Sequence, residues 1–171
     1  MTDEERFQKA YEYAELMHRG QKRKGGKDYI THPLGVANII KNLNKPIEYQ
    51  ITALFHDLLE DTEATEEKIE EIGGKKVLEA VKLLTKEKGY KTENYLQKIK
   101  NNEIALFVKA TDRLHNVKSL VEADKKFVDK YIKETKEHYL ELGVPEIDIK
   151  SAIEEIEKNM KKDKNNWWKT K

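Results

Sequence analysis

Cysteine is absent from the 171 residues, which excludes disulfides and thiolate metal sites and fits a reducing compartment. Prolines number three and glycines eight, and β-branched alternation is scarce, so little interrupts helices or builds strands. A charge surplus is missing too: Lys+Arg 33 against Asp+Glu 32 leaves a formal +1, without the broad basic field of a nucleic-acid or anionic-lipid binder. No apolar run approaches a membrane span. The opening MTDEERFQKA lacks the basic-then-apolar layout of a secretory signal. What remains is an expected soluble, cytoplasmic, all-α protein the size of one domain. Its charged residues, 38% of the chain, must interleave Lys and Glu on outward faces.

The helices are spelled out by apolar spacing. Thr2 or Asp3 caps a first helix through Phe7, Ala10, Tyr11, Ala14 and Met17. A basic, glycine-rich loop, HRGQKRKGGKDY, fills 18–29. Thr31 is expected to cap a second helix, with Pro33 in its first turn and Val36, Ile39, Ile40 and Leu43 on its buried face. Pro46 opens a third, which carries ALFHDLLEDTEA. Thr65 starts a short helix closed by Gly73-Gly74; Val77 to Leu84 and Thr92 to Ile99 follow, then a long helix over 102–120. Two more are expected at about 125–142 and 145–163, split by Gly143 and Pro145. No repeat or Pro/Ser-rich linker divides the chain, so 1–171 reads as one domain, with about 164–171 a frayed tail around Trp167 and Trp168.

Against this background three polar concentrations stand out. In ALFHDLLEDTEA, Leu54, Phe55, Leu58 and Leu59 form an apolar stripe, yet His56, Asp57, Glu60 and Asp61 lie among them. Such groups are costly to bury without partners. On one helix, Asp57, Glu60 and Asp61 fall on adjoining faces, where like charges repel unless a cation sits between them. On the long helix, Lys109, Asp112, Asn116 and Ser119 form a short polar stripe opposite Leu106, Phe107, Ala110, Leu114 and Val117. The third concentration is the loop and its exit, with Arg23, Lys24, Gly25, Gly26, Tyr29 and His32-Pro33. Four of the five histidines (His18, His32, His56, His115) fall within these stretches, and His138 outside. Imidazole and carboxylate without thiolate suit Mn²⁺, Fe²⁺ or zinc.

His32, then His56-Asp57, then Asp112 resemble the H…HD…D pattern of the HD-domain metal-dependent phosphohydrolases. HRGQKRKGGKDYITHPLGVA, ALFHDLLEDT and KATDRLHNVKSL are more specifically similar to the hydrolase domain of the RelA/SpoT family, including its small stand-alone alarmone hydrolases. The resemblance covers residues 1 to about 160. Departures are modest: Asp28 stands where the family often has proline, Ala110-Thr111 replaces a Leu-Ala pair, and Val117-Lys118-Ser119 replaces Met-Arg-Thr.

The resemblance implies an all-α HD domain that hydrolyses the 3′-pyrophosphate of guanosine tetra- and pentaphosphate, with Mn²⁺ as the usual ion. By motif position it makes His32, His56, Asp57 and Asp112 the metal ligands and Glu60 and Asp61 the catalytic acids. Arg23 and Lys24 match the base-binding loop. Asn116 matches a ribose or phosphate contact, and Tyr29, Lys109 and Ser119 are candidates for the pocket wall. His18 and His115 are expected to support or pack rather than ligate. The family's larger members continue into synthetase and regulatory domains, so this chain is expected to be a hydrolase only. Two further readings stay open: hydrolysis of another nucleotide with a 2′- or 3′-phosphate such as NADPH, and a non-catalytic nucleotide-binding module. A helical scaffold acting through the Trp167-Trp168 tail would leave the three motifs unused. Oligomeric state is not written in the pattern.

Overall fold

The computed structural model of the protein describes residues 1–166. Trp167 and Trp168, and with them the expectation about the end of the tail, lie outside the described residues. Helix α1 spans Asp3–His18 and begins in a capping box, where Thr2 Oγ1 accepts from Glu5 N and Thr2 N donates to Glu5 Oε2. The following helices are α2 (Thr31–Asn42), α3 (Ile47–Phe55), α4 (Leu58–Asp61), α5 (Glu66–Gly73), α6 (Lys75–Leu84), α7 (Thr92–Lys100) and α8 (Glu103–Lys118). A 3₁₀ turn over Ser119–Glu122, α9 (Lys125–His138) and α10 (Ile149–Asn166) complete the order. The all-α expectation holds among the described residues, where the sole β feature is an isolated bridge between Lys22 and Asp28. None of these helices is long and apolar enough to cross a membrane.

Helices α3 and α8 form the middle of the molecule. Helix α3 packs against α1, α2, α5, α6 and α8, while α8 packs against α2, α3, α6, α7 and α10. Both are buried because their apolar residues run around more than one face: Ile51, Ala53, Leu54 and Phe55 on α3, and Ala105, Val108, Ala110 and Val117 on α8. One contiguous core follows from this. Polar groups on these two helices are therefore carried into the interior, and the site is built there.

Three local expectations need correction. Thr31 does not cap α2; its hydroxyl donates to Asp28 O at 2.7 Å, and Ile30 takes the cap position without a side-chain bond. The segment 53–64 is not one helix, for α3 ends at Phe55 and α4 starts at Leu58. Asp57 between them adopts φ −104° and ψ 0°, the sparsely populated bridge region. Helix α9 stops at His138, and α10 begins at Ile149 rather than 145, because Asp148 supplies the cap: its Oδ1 accepts from Ser151 N at 3.0 Å. Loop 18–29 is a folded turn, closed by Arg23 N to Lys27 O (2.8 Å), Gly26 N to Arg23 O (2.9 Å) and Tyr29 N to Gln21 O (2.9 Å).

Candidate active site

His32 comes from the first turn of α2, His56 and Asp57 from the break between α3 and α4, and Asp112 from the middle of α8. The break matters because an unbroken helix would turn His56 and Asp57 about 100° apart. Instead both converge: His56 Nε2 is 3.1 Å from Asp57 Oδ2 and 3.3 Å from Asp112 Oδ1. His32 Nε2 is 2.7 Å from the same Asp112 Oδ1. His32, His56 and Asp112 are almost wholly buried. His32, His56 and Asp57 present ligand atoms that all lie within 4.8 Å of one another, as do Asp57, Glu60 and Asp61.

The tautomer of His56 decides what belongs between these atoms. Its Nδ1–H donates to Ala53 O at 2.6 Å, which leaves Nε2 as a lone pair in the neutral ring. That lone pair is buried and without a well-formed hydrogen bond, and it faces two carboxylate oxygens. Electron pairs facing one another so closely require a cation, either a proton on Nε2 or a metal ion. The residues present fit a divalent ion by that test. With no ion, burial pulls the His56 imidazole down, but the charges of Asp57 and Asp112 outweigh it and hold it well above the usual range. Burial likewise opposes ionisation of Asp112, and Lys109 followed by His56 reverses this, leaving the carboxyl well below its ordinary value.

Each ligand candidate is held from behind. Lys109, itself buried, places Nζ 3.3 Å from Asp112 Oδ2 and leaves Oδ1 to the cluster. Its ammonium stays charged, because Asp112 overrides the cost of burial. Asn116 Nδ2 donates to Asp112 Oδ1 at 3.3 Å. Tyr29 donates its hydroxyl to Asp57 Oδ2. His115 meets His32 Nδ1 to Nδ1 at 2.8 Å, and its own pKa is pushed down to about 4 by burial, then by His32 and Arg23. A neutral His115 can accept the proton of His32 Nδ1 and so turn His32 Nε2 toward the cluster, as ring nitrogens behind a metal commonly do.

Gly35 makes room for that arrangement. A β-carbon there would lie 2.3 Å from His115 Nε2. Gly35→Ala is therefore expected to cost about 1–3 kcal/mol by overpacking and to weaken metal-dependent stabilisation by displacing His115. Thermal melts with and without Mn²⁺ check both parts.

The acids Glu60 and Asp61 sit on the single turn of α4, beside Asp57. Glu60 Oε1 accepts from Lys86 N at 2.5 Å. The Asp61 carboxyl is raised by burial and then by Asp57 and Glu60. The end of α4 is pinned by Gln21, whose Nε2 donates to Asp61 O at 2.9 Å while His18 Nδ1 lies 3.0 Å from its Oε1. Sequence reasoning left Gln21 unassigned, although HRGQ placed it three residues from His18. Lys86 and Gly35 were equally invisible, since only long-range packing gives them their neighbours.

Two joined cavities surround these groups. One, of about 410 Å³, is lined by Asp57, Glu60, Asp61, Lys109 and Asp112, together with Lys86 and Lys130. The other, of about 290 Å³, is lined by Arg23, Lys24, Ser119, Leu120 and Phe127 among others. Tyr29, His32, Asn116, Phe127 and Tyr131 line both. The expected residues thus divide: Asp57, Glu60, Asp61 and Asp112 line the first cavity, with His56 buried behind Asp57 and Asp112, while Arg23, Lys24 and Ser119 line the second. Arg23 Nη2 donates to Asn116 Oδ1 at 3.1 Å and Nη1 is buried without a partner. Lys24 Nζ lies 3.3 Å from the centre of the Phe127 ring, and Ser119 Oγ donates to His115 O at 2.8 Å.

Comparison with known proteins places this geometry. The HD domain family matches residues 10–145. A guanosine-3′,5′-bis(diphosphate) 3′-pyrophosphohydrolase of Aquifex aeolicus is 40% identical over 147 residues, 81% of this chain and 21% of that protein. The bifunctional (p)ppGpp synthase/hydrolase SpoT of Escherichia coli is 35% identical over 126 residues, 67% of this chain and 18% of that protein. The chain thus spans about a fifth of the length of these curated relatives. A solved structure, of a metazoan ortholog of SpoT described as hydrolysing ppGpp and acting in starvation responses, superposes with a TM-score of 0.76. It is 22% identical and shares the fold over 91% of this chain and 95% of its own. With a match over most of its length and the fold in common, the chain belongs to the HD domain family.

Proposed function

We propose that the protein is a Mn²⁺-dependent, cytoplasmic pyrophosphohydrolase that converts guanosine 3′,5′-bis(diphosphate) and its pentaphosphate to GDP or GTP and pyrophosphate. The observation that carries the reading is the bare His56 Nε2 between Asp57 and Asp112, with two further acids one turn away and a second cavity adjoining. The similarity to proteins named for this activity supports the substrate.

His32, His56, Asp57 and Asp112 would hold the ion. Bound there, a divalent metal would supply Lewis-acid activation of water and screening of phosphate charge. The chain's own residues do the rest. Glu60 accepts a proton from the attacking water, and Asp61, whose carboxyl is raised by burial and by Asp57, gives one to the departing 3′-oxygen. A bond forms from the water oxygen to the phosphorus next to the ribose, and the bond from that phosphorus to the 3′-oxygen breaks. Pyrophosphate leaves with the new oxygen, and the nucleoside keeps a 3′-hydroxyl. Lys109 keeps Asp112 ionised and in place, while Arg23 and Lys24 face the nucleoside in the second cavity.

A side-by-side turnover assay of guanosine tetraphosphate, NADPH and simple nucleotides, with Mn²⁺ and with chelator, tests the reading. Turnover confined to the guanosine compound and lost with chelator is expected; preference for NADPH overturns the substrate. Arg23→Ala should raise KM on the order of tenfold while the metal stays bound, since a stacked, partly desolvated guanidinium is worth about 1–2 kcal/mol. Arg23→Lys should rescue only in part, because an ammonium lacks the flat face. Steady-state kinetics at fixed Mn²⁺ check this, and an unchanged KM would remove Arg23 from the base pocket.

A further inference from the structure

The smaller cavity has a chemical asymmetry that its basic loop hides. Its cations are largely engaged, Lys22 with Asp28, Lys24 with the face of Phe127 and Arg23 through Nη2 with Asn116, while Arg23 Nη1 stays without a partner. Leu120, Ala123, Phe127 and Tyr131 supply apolar walls. Among the described residues lining it, Glu122 is the one acidic side chain. This carboxylate is also held in position. Glu122 Oε1 lies 3.4 Å from Lys27 Nζ. Its Oε2 sits over Gly25, 2.6 Å from where a β-carbon would stand, so the glycine leaves room for the carboxylate beside the loop.

We propose that Glu122 is a specificity-determining residue that reads the Watson–Crick edge of a guanine in this cavity. The proposal rests on the guanosine reading above. Guanine offers two adjacent donors on that edge, N1–H and the 2-amino group, and a carboxylate offers two acceptors in matching geometry. Adenine presents a bare N1 lone pair at the corresponding place and is repelled. Hypoxanthine keeps N1–H and lacks the amino group, so it falls between. One contact to Lys27 leaves each carboxylate oxygen with a free lone pair. Arg23 then covers the purine face while Glu122 fixes which purine it is.

The rival role is a clamp, with Glu122 merely tying the 22–28 loop down through Lys27. Titration calorimetry on the Mn²⁺-loaded protein with GDP, IDP and ADP separates the two, and these nucleotides carry no 3′-phosphate to hydrolyse. The wild type should bind GDP best, IDP less well and ADP least, with GDP ahead of ADP by about tenfold or more, as expected where a site's polar groups are left unpaired by the wrong ligand. Glu122→Gln is nearly isosteric and partly exposed, so folding is kept; a melting temperature confirms it. Its carboxamide offers a donor to adenine N1 and an acceptor to the 6-amino group, so GDP should weaken by about tenfold while ADP tightens. Lys27→Ala should leave the GDP/ADP ratio unchanged. An equal loss of both purines in Glu122→Gln, the same change of ratio in Lys27→Ala, or a wild type without preference for GDP would each overturn the proposal. Failure of the hydrolase reading shows separately, as absence of turnover of guanosine tetraphosphate by the wild type.

Discussion

Glu60→Gln and Asp61→Asn are each expected to lower turnover by about 10²-fold or more while Mn²⁺ stays bound, the range in which a positioned acid or base contributes to proton transfer. Both changes keep size and hydrogen-bonding shape, and neither carboxylate belongs to the set that converges on His56. Glu60→Gln keeps an acceptor for Lys86 N, and Asp61→Asn leaves the carbonyl that Gln21 holds untouched. Lost activity would therefore report the missing proton carrier rather than a collapsed turn. The two should differ in pH dependence. The raised Asp61 carboxyl sets an acidic group that must be protonated to act, so its removal should flatten the fall of rate on the alkaline side. Metal analysis beside kcat–pH profiles checks both statements, and normal turnover in both variants would take the pair out of the mechanism.

His56→Ala is expected to abolish the thermal stabilisation that Mn²⁺ gives. An ion binding only the folded protein, at about 100 times its Kd, adds about 2.7 kcal/mol, or about 5–10 °C for a chain of this size. Removing His56 deletes a proposed ligand and leaves Asp57 and Asp112 without the ring between them. The sign of the pH dependence can be worked out. Without metal, His56 titrates above its unfolded value of about 6.5. Its contribution is then fully present below that pH and is lost as pH rises through the raised folded value. The metal contribution runs the other way, because Nε2 must shed its proton before it ligates. Mn²⁺ should accordingly raise the wild-type melting temperature more at about pH 8 than at about pH 6. A wild type indifferent to both Mn²⁺ and chelator would refute the ligand set.

The helices were legible because their cues are local: the Thr2 capping box, Thr65 before α5 and Asn102 before α8 are each written within four residues. The convergence of His32, His56, Asp57 and Asp112 was legible only through motif resemblance, since no periodicity relates α2 to α8. The break at Asp57 was not legible at all. Leu54, Phe55, Leu58 and Leu59 keep helical spacing across it, and the dihedral change leaves the apolar pattern unaltered. Glycines behaved similarly: Gly35 reads as a mild helix weakness, and only the position of His115, on another helix, shows why it is there. The fold of the basic loop was not legible because the bonds that shape it are mostly between backbone groups, and these leave no mark in residue type.

The contact between His32 and Asp112 joins positions 80 residues apart, and this sets an order of events during synthesis. At about 5–20 residues per second, a growing chain exposes the earlier ligand candidates for several seconds before the last appears. Until α8 docks, an ion would meet an incomplete and solvated set with little hold on it. Closing so long a loop is entropically slow, so the full candidate set exists only after a late step in folding. Once α8 has docked, the cavity lined by His32, Asp57 and Asp112 is the route by which an ion would come and go, so its exchange would report access to that cavity rather than global opening.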